Sequence, residues 1–271
     1  MTAQPTLLNS VQMAQFVAAG MLRFDGIIDD ATNQAAMTVI EAGLPGVPAG
    51  IPLSEAYADQ PAITAILGHP RVAGAIASIV GPAPLVDHHA THVRPARGGE
   101  SQHLHADAII DIRTAFDIQL MYYPHEVTPE MGGTLVVPGS HLRRINETDI
   151  GRYQNLRGQI PLTCPAGTVL ILHHGIWHCG RRNDSDQLRY MYKIRLNPTV
   201  RQERLWNTTD LDSPEVEEAL RQRFAWYENA TARLELINRA RLWRHLTGEA
   251  TYDFDYWLTR IENEPTATAP A

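Results

Sequence analysis

Cysteine is scarce in this chain, with two residues, Cys164 and Cys179, among 271. Two thiols without metal-binding spacing make neither a disulfide framework nor a cysteine-based metal site. Basic charge is also in deficit, because 23 Lys and Arg face 30 Asp and Glu for a formal net charge of -7. Proteins that neutralise phosphates need the opposite balance, so nucleic acid is not expected as a partner. No apolar run is long enough to span a bilayer, and the N-terminus has neither the basic nor the apolar region of a signal peptide. The expectation is therefore a cytosolic protein without membrane contact. A hydrophobic content of 44% supplies a real core.

Along the chain, Ser10 reads as the cap of a helix from Val11 to Ala19, ended by Gly20, and Met21 to Ile28 reads as a short strand. A second helix is expected from Asp29 or Asp30 to Ala42. Pro61 and Pro70 each mark a first helical turn, for helices reaching Leu67 and about Val80. From Leu85 the pattern changes to short segments rich in Val, Ile, Thr and Tyr. Strands are expected near 85–95, 106–113, 116–123, 134–137, 160–163, 168–173 and 188–196. Short strands without intervening helices imply an antiparallel sandwich or jelly roll. Ser213-Pro214-Glu215 reads as a helix start, with Leu220, Phe224, Tyr227, Leu234, Ile237 and Leu242 as an apolar stripe over 214–246. No repeat or linker interrupts the chain. One domain is expected, with a helical part at 1–82, a catalytic core at 83–200, C-terminal helices at 201–263 and a disordered tail at 264–271.

Histidines crowd into 88–105 and 173–178. His105 and Asp107 stand two apart in a strand-like run and should share a face. His178 follows Asp107 by 71 residues, after the apolar strand Thr168 to Leu172, and Arg189 follows by another 11. Two histidines and one carboxylate can occupy one face of an iron(II) octahedron and leave the opposite positions open. An arginine beyond them can grip a carboxylate bidentately, which lysine cannot do. Alternation on the last strand puts Arg189, Met191, Lys193 and Arg195 together. That face is basic for a barrel interior, so Lys193 and Arg195 either lie beyond the mouth or help to bind an acidic substrate. His103 reads as a residue behind the ligands or at the rim rather than a fourth ligand, and His141 as a loop anchor. Of His173 and His174 only one can look inward. Gln119, Met121 and Tyr123 share a face, and Trp177 stands next to the substrate space.

These residues give the sequence a specific resemblance. His105-Ala106-Asp107, Thr128-Pro129-Glu130-Met131-Gly132-Gly133-Thr134, Pro138-Gly139-Ser140-His141 and the run His178 through Asn183, Ser185 and Arg189 resemble the phytanoyl-CoA dioxygenase family of Fe(II)/2-oxoglutarate oxygenases. The resemblance implies a mainly β protein with flanking helices around a double-stranded β-helix, a cupin-like jelly roll. It implies iron held by His105, Asp107 and His178, with 2-oxoglutarate and O2 as co-substrates and Arg189 on the distal carboxylate. Gln102 and Thr134 match positions that contact the co-substrate in several relatives, while Met131 stands where relatives often carry Asn. Halogenating relatives replace the carboxylate of Asp107 by a small residue. Its presence here implies hydroxylation of a small molecule, with desaturation or ring formation as alternatives. The rivals are a jelly-roll binding protein without turnover and a zinc hydrolase.

Overall fold

The structure, a computed structural model, describes residues 4–107, 115–143, 147–151, 155–228 and 232–254. Its first third is mostly helical. Helices α1 (Ser10–Ala19), α2 (Asp30–Ala42), α3 (Leu53–Ala56), α4 (Pro61–Leu67) and α5 (Pro70–Val80) alternate with the short strands β1 (Met21–Phe24) and β2 (Ile51–Pro52). Asn9, not Ser10, caps α1. Its side chain accepts from the Gln12 N–H, and the Gln12 side chain accepts from the Asn9 N–H, so two orphan donors are satisfied reciprocally. The Ser10 hydroxyl accepts from the Trp206 indole N–H instead. Pro61 and Pro70 open α4 and α5 as expected, where a missing N–H costs nothing.

Seven further strands follow: β3 (Leu85–Arg94), β4 (Ile118–Tyr123), β5 (Thr134–Val137), β6 (Ile160–Pro161), β7 (Thr168–His173), β8 (Trp177–Gly180) and β9 (Arg189–Asn197). Among the described residues they form two antiparallel sheets, ordered β1-β7-β4-β9-β3-β2 and β6-β5-β8. The expected strand at 106–113 fails at its start, since Ala106 and Asp107 are irregular, and its remainder lies outside the described residues. Beyond a short helix α6 (Glu147–Ile150), the C-terminal part forms α7 (Pro214–Leu220) and α8 (Ala232–Thr247). Ser213 makes no side-chain cap bond, and Leu234 in the expected apolar stripe is 60% exposed. Phe224 and Tyr227 lie in the connection rather than on a helix.

Strand alternation divides the side chains into layers. Ile118, Leu120, Tyr122, Val169, Ile171, Tyr192 and Ile194 turn outward from the large sheet and pack against α1, α4 and α5 through Phe16, Ile63 and Ile79. Their neighbours Met121, Tyr123, Leu170, Leu172 and Met191 turn inward and meet Val136 of the small sheet. Behind the small sheet, Val137, Trp177 and Cys179 pack with Leu104 and Trp226. Each large side chain fully buried contributes about 1.5–3 kcal/mol, so the helical layer carries much of the apolar stabilisation. The interior between the sheets is left to hold polar groups. Among the described residues no single helix is long and apolar enough to cross a membrane.

His141 and His173 pack as tilted rings 4.7 Å apart under α1, beside Phe16 and Phe116, and both are buried. Burial lowers His141 to about 3 and holds His173 well below the ordinary value. Their folded values lie below the unfolded value of 6.5, so the unfolded chain binds more protons over that interval. The stability they allow is complete above pH 6.5 and is lost as pH falls. Each ring should cost about 1.4 kcal/mol per pH unit below 6.5. Thermal melts from pH 7.5 to 5 should show a falling Tm, and a flat profile would contradict two neutral buried imidazoles.

Candidate metal centre

The inward faces of the two sheets meet at His178. On β8, Trp177 and Cys179 belong to the outer cluster, so alternation turns His178 toward the interior. The chain at His105 pairs with β8 as an antiparallel bridge. His105 N–H donates to the His178 carbonyl at 3.0 Å, and His178 N–H donates to the His105 carbonyl at 2.8 Å. Residues that exchange both bonds stand directly opposite each other, and the two rings lie 4.6 Å apart. The sequence puts His105 in a strand-like run and His178 after the strand Thr168 to Leu172, but does not reveal that the two are cross-strand partners.

Hydrogen bonds set the imidazole tautomers. The Nδ1 of His105 faces the His103 carbonyl at 2.8 Å, and the Nδ1 of His178 faces the Ile176 carbonyl at 3.1 Å. A carbonyl only accepts, so each Nδ1 carries the hydrogen and each Nε2 keeps its lone pair. Those Nε2 atoms look at Asp107, 3.7 Å from Oδ1 for His105 and 3.8 Å from Oδ2 for His178. These distances exceed hydrogen-bond reach. One ligand atom from each side chain lies within 4.8 Å of the others. Lone pairs and a carboxylate converging without a shared proton fit a divalent cation, and two nitrogens with one oxygen are a donor set that iron(II) accepts. Burial lowers His178 to about 4, which keeps the ring neutral and ready to coordinate. At Asp107 burial raises the carboxyl, but His178, Lys193 and His105 together outweigh it and hold the group well below the usual range.

Arg189 starts β9 and is 5% exposed. It donates Nη1 to the Met131 carbonyl and Nη2 to the Arg181 carbonyl, the latter at 3.1 Å. Two carbonyls steady the guanidinium and leave further donors for an anion. Gly132 and Gly133 pass close to neighbouring backbone beside this site. Both have positive φ, and a Cβ on either would stand 2.1 Å from a carbonyl oxygen, of Arg182 or Leu162. Thr134 accepts from the Tyr123 hydroxyl at 3.0 Å, and Gln102 accepts from the Gly180 N–H at 2.8 Å. Gln102, Thr134, Arg189, His105 and His178 line one cavity together with Arg94, Met121, Met191 and Lys193.

Some sequence readings need correction. Trp177 does not border this cavity; its ring packs at a tilt against Trp226, 5.5 Å away, behind the small sheet. Lys193 is not beyond the mouth. It is buried, with its ammonium 2.5 Å from Asp107 Oδ2. Arg195 pairs with Asp87 at 2.9 Å. His103 is exposed and His141 anchors a loop through the Val17 carbonyl, as expected.

The Phytanoyl-CoA dioxygenase (PhyH) family model matches residues 54–191, which include all three convergent side chains and Arg189. The chain belongs to the phytanoyl-CoA dioxygenase family. PhyH proteins are non-haem iron, 2-oxoglutarate-dependent oxygenases. Among solved structures it is similar to HygX from Streptomyces hygroscopicus with nickel and 2-oxoglutarate bound, at TM-score 0.55 and 15% identity over 78% of this chain and 94% of that one. It is also similar to EctD from S. alaskensis with 2-oxoglutarate and 5-hydroxyectoine, at TM-score 0.54 and 18% identity over 72% and 82%. The carbocyclase SnoK from nogalamycin biosynthesis matches at TM-score 0.53 and 18% identity over 72% and 87%. These likenesses establish the jelly-roll core. Uncharacterised proteins of Mycobacterium tuberculosis and Mycobacterium bovis are each 35% identical over 72 residues, 27% of this chain. The chain spans about a quarter of the length of these curated relatives.

Even an outer partner of a metal ligand is worth about 10–100-fold in affinity, so removal of a ligand itself should cost on the order of 100-fold or more. Asp107→Ala should lose Co(II) binding by at least that factor in equilibrium dialysis. It also strands the buried Lys193 ammonium, at a cost of about 3 kcal/mol in urea unfolding. Retained metal affinity would remove Asp107 from the candidate site.

Proposed function

We propose that this PhyH protein hydroxylates a small-molecule substrate at an unactivated C–H bond, consuming 2-oxoglutarate and O2 and releasing succinate and CO2. The observation that carries the reading is the convergence of His105, Asp107 and His178 within 4.8 Å, with both histidines lining the same cavity as the buried Arg189. His105, Asp107 and His178 would hold Fe(II), which supplies the activation of O2 that no side chain can perform. One oxygen atom enters the substrate and the other enters succinate.

The chain's own residues bind, orient and exclude water. Arg189 has fixed geometry and spare donors, so it takes the far carboxylate of 2-oxoglutarate as a fork. Gln102 and Thr134 stand on the wall near that co-substrate, and each is oriented by one hydrogen bond. Met121, Met191 and Leu172 give the interior an apolar lining that keeps bulk water from the oxidant. Asp107 fills the position that a halide needs in halogenating relatives, which favours oxygen transfer. No membrane or nucleic acid enters this reading.

The test is succinate formation coupled to O2 consumption by the Fe(II)-loaded protein with 2-oxoglutarate across a small-molecule panel. Formation of one succinate per O2 is the expected result. Absence of any 2-oxoglutarate turnover or binding would leave a binding protein or hydrolase instead. Arg189→Ala should raise the 2-oxoglutarate requirement about 10- to 100-fold, the worth of a charged hydrogen-bonded contact, with metal affinity nearly unchanged. An unaltered requirement would place the anchor elsewhere.

A further inference from the structure

Lys193 is the only lysine in the 271 residues; every other member of the 23 Lys and Arg is arginine. A chain that otherwise uses arginine throughout has placed its one compact ammonium inside the barrel, 7% exposed, against Asp107. Arginine's planar fork and lysine's point charge are not interchangeable. The ammonium has three donors and, among the described residues, one hydrogen-bond acceptor, the Asp107 carboxylate. On β9 it stands four residues from Arg189 on the same face, roughly 13 Å along the strand at 3.3 Å per residue. The far end of the cavity is therefore a second cationic pole.

Around that pole lie polar side chains that the fold itself does not satisfy. Gln119 is fully buried on the inward face of β4, adjacent to Met121, which pairs in register with Lys193. Neither its amide oxygen nor its nitrogen has a hydrogen-bond partner among the described residues. His174, 1% exposed just past β7, also has both ring nitrogens without a hydrogen bond. Its Nδ1 lies 3.4 Å from Asp117 Oδ2, outside hydrogen-bond geometry. Arg195, opposite Gln119, gives Nη1 to Asp87 and leaves Nε unpartnered. Buried polar groups without partners are rare and costly, and their clustering calls for a ligand that completes them. The ammonium, amide and imidazole together suit a small polar molecule that carries an anionic group.

We propose that Lys193, Gln119 and His174 form the substrate subsite, and that the substrate is a small polar carboxylate whose carboxylate is held by Lys193. The proposal rests on the oxygenase reading and adds to it the class of molecule oxidised. Arg189 holds one carboxylate at one pole of the cavity. Lys193 holds the other; because its ammonium touches Asp107, the substrate carboxylate sits beside the triad and the C–H bond attacked lies on the part of the molecule that extends into the cavity.

A single lysine permits a direct test. Protein grown with 13C-labelled lysine carries one Lys Cε signal, reporting Lys193 alone. The Zn(II)-loaded protein, saturated with 2-oxoglutarate so that Arg189 is occupied, is titrated with acetate against acetamide. The panel then extends to 2-amino and 2-hydroxy acids against their primary amides. The expected result is a saturable shift with carboxylates at concentrations at least tenfold lower than their amides require. Equal responses from acids and amides, or no saturable response from any acid, would overturn the proposal. Binding of 2-oxoglutarate to the same sample is read by calorimetry. Its failure would refute the oxygenase reading, whereas its success without a carboxylate response refutes only the subsite. Gln119→Leu gives an independent measurement. It should raise Tm by removing an unsatisfied amide, yet weaken carboxylate binding at least tenfold; a lower Tm with undiminished binding would contradict the subsite.

Discussion

The pairing of the chain at His105 with β8 is the constraint on which the candidate centre depends. Two reciprocal backbone hydrogen bonds place His105 opposite His178. Two local carbonyls then fix both rings with Nδ1 outward and Nε2 inward. No side chain outside this bridge is needed to aim the nitrogens at Asp107. A slip of one residue on β8 would turn His178 into the outer cluster and bring Trp177 or Cys179 inward, so the packing of Trp177 on Trp226 also protects the register.

Charge inside the barrel is arranged in poles rather than dispersed. Arg189 is neutralised in part by the carbonyl dipoles of Met131 and Arg181. Lys193 is neutralised by Asp107 and Arg195 by Asp87. Such groups are tolerable because the apolar stabilisation is concentrated on the other side of the large sheet, where α1, α4 and α5 cover it. The helices carry the fold so that the interior can carry the chemistry.

Much of this was legible in the sequence. Proline and glycine punctuation marked α1, α2, α4 and α5, and alternation marked β3, β4, β5, β7 and β9. The spacing of His105, Asp107, His178 and Arg189 named the residues that the fold brings into one cavity or its edge. Other features were hidden for physical reasons. Four-residue β8 is too short for alternation to stand out, so no strand was expected at His178 and Trp177 read as a substrate neighbour. Asn9 displaced Ser10 as a cap because Gln12 completes a box with it, a preference that turns on a side chain three residues away. Alternation gathered Lys193 with Arg189, but only the tertiary position of Asp107 explains how an ammonium is accommodated there.

The central claim is that one divalent ion on His105, Asp107 and His178 and one 2-oxoglutarate on Arg189 share this cavity. The most direct measurement is an anaerobic crystal structure of the protein loaded with Fe(II) and 2-oxoglutarate, with iron located by anomalous scattering. The account predicts a single anomalous peak at those three side chains and a carboxylate on the Arg189 guanidinium. A peak elsewhere, or a co-substrate that leaves Arg189 untouched, would contradict it.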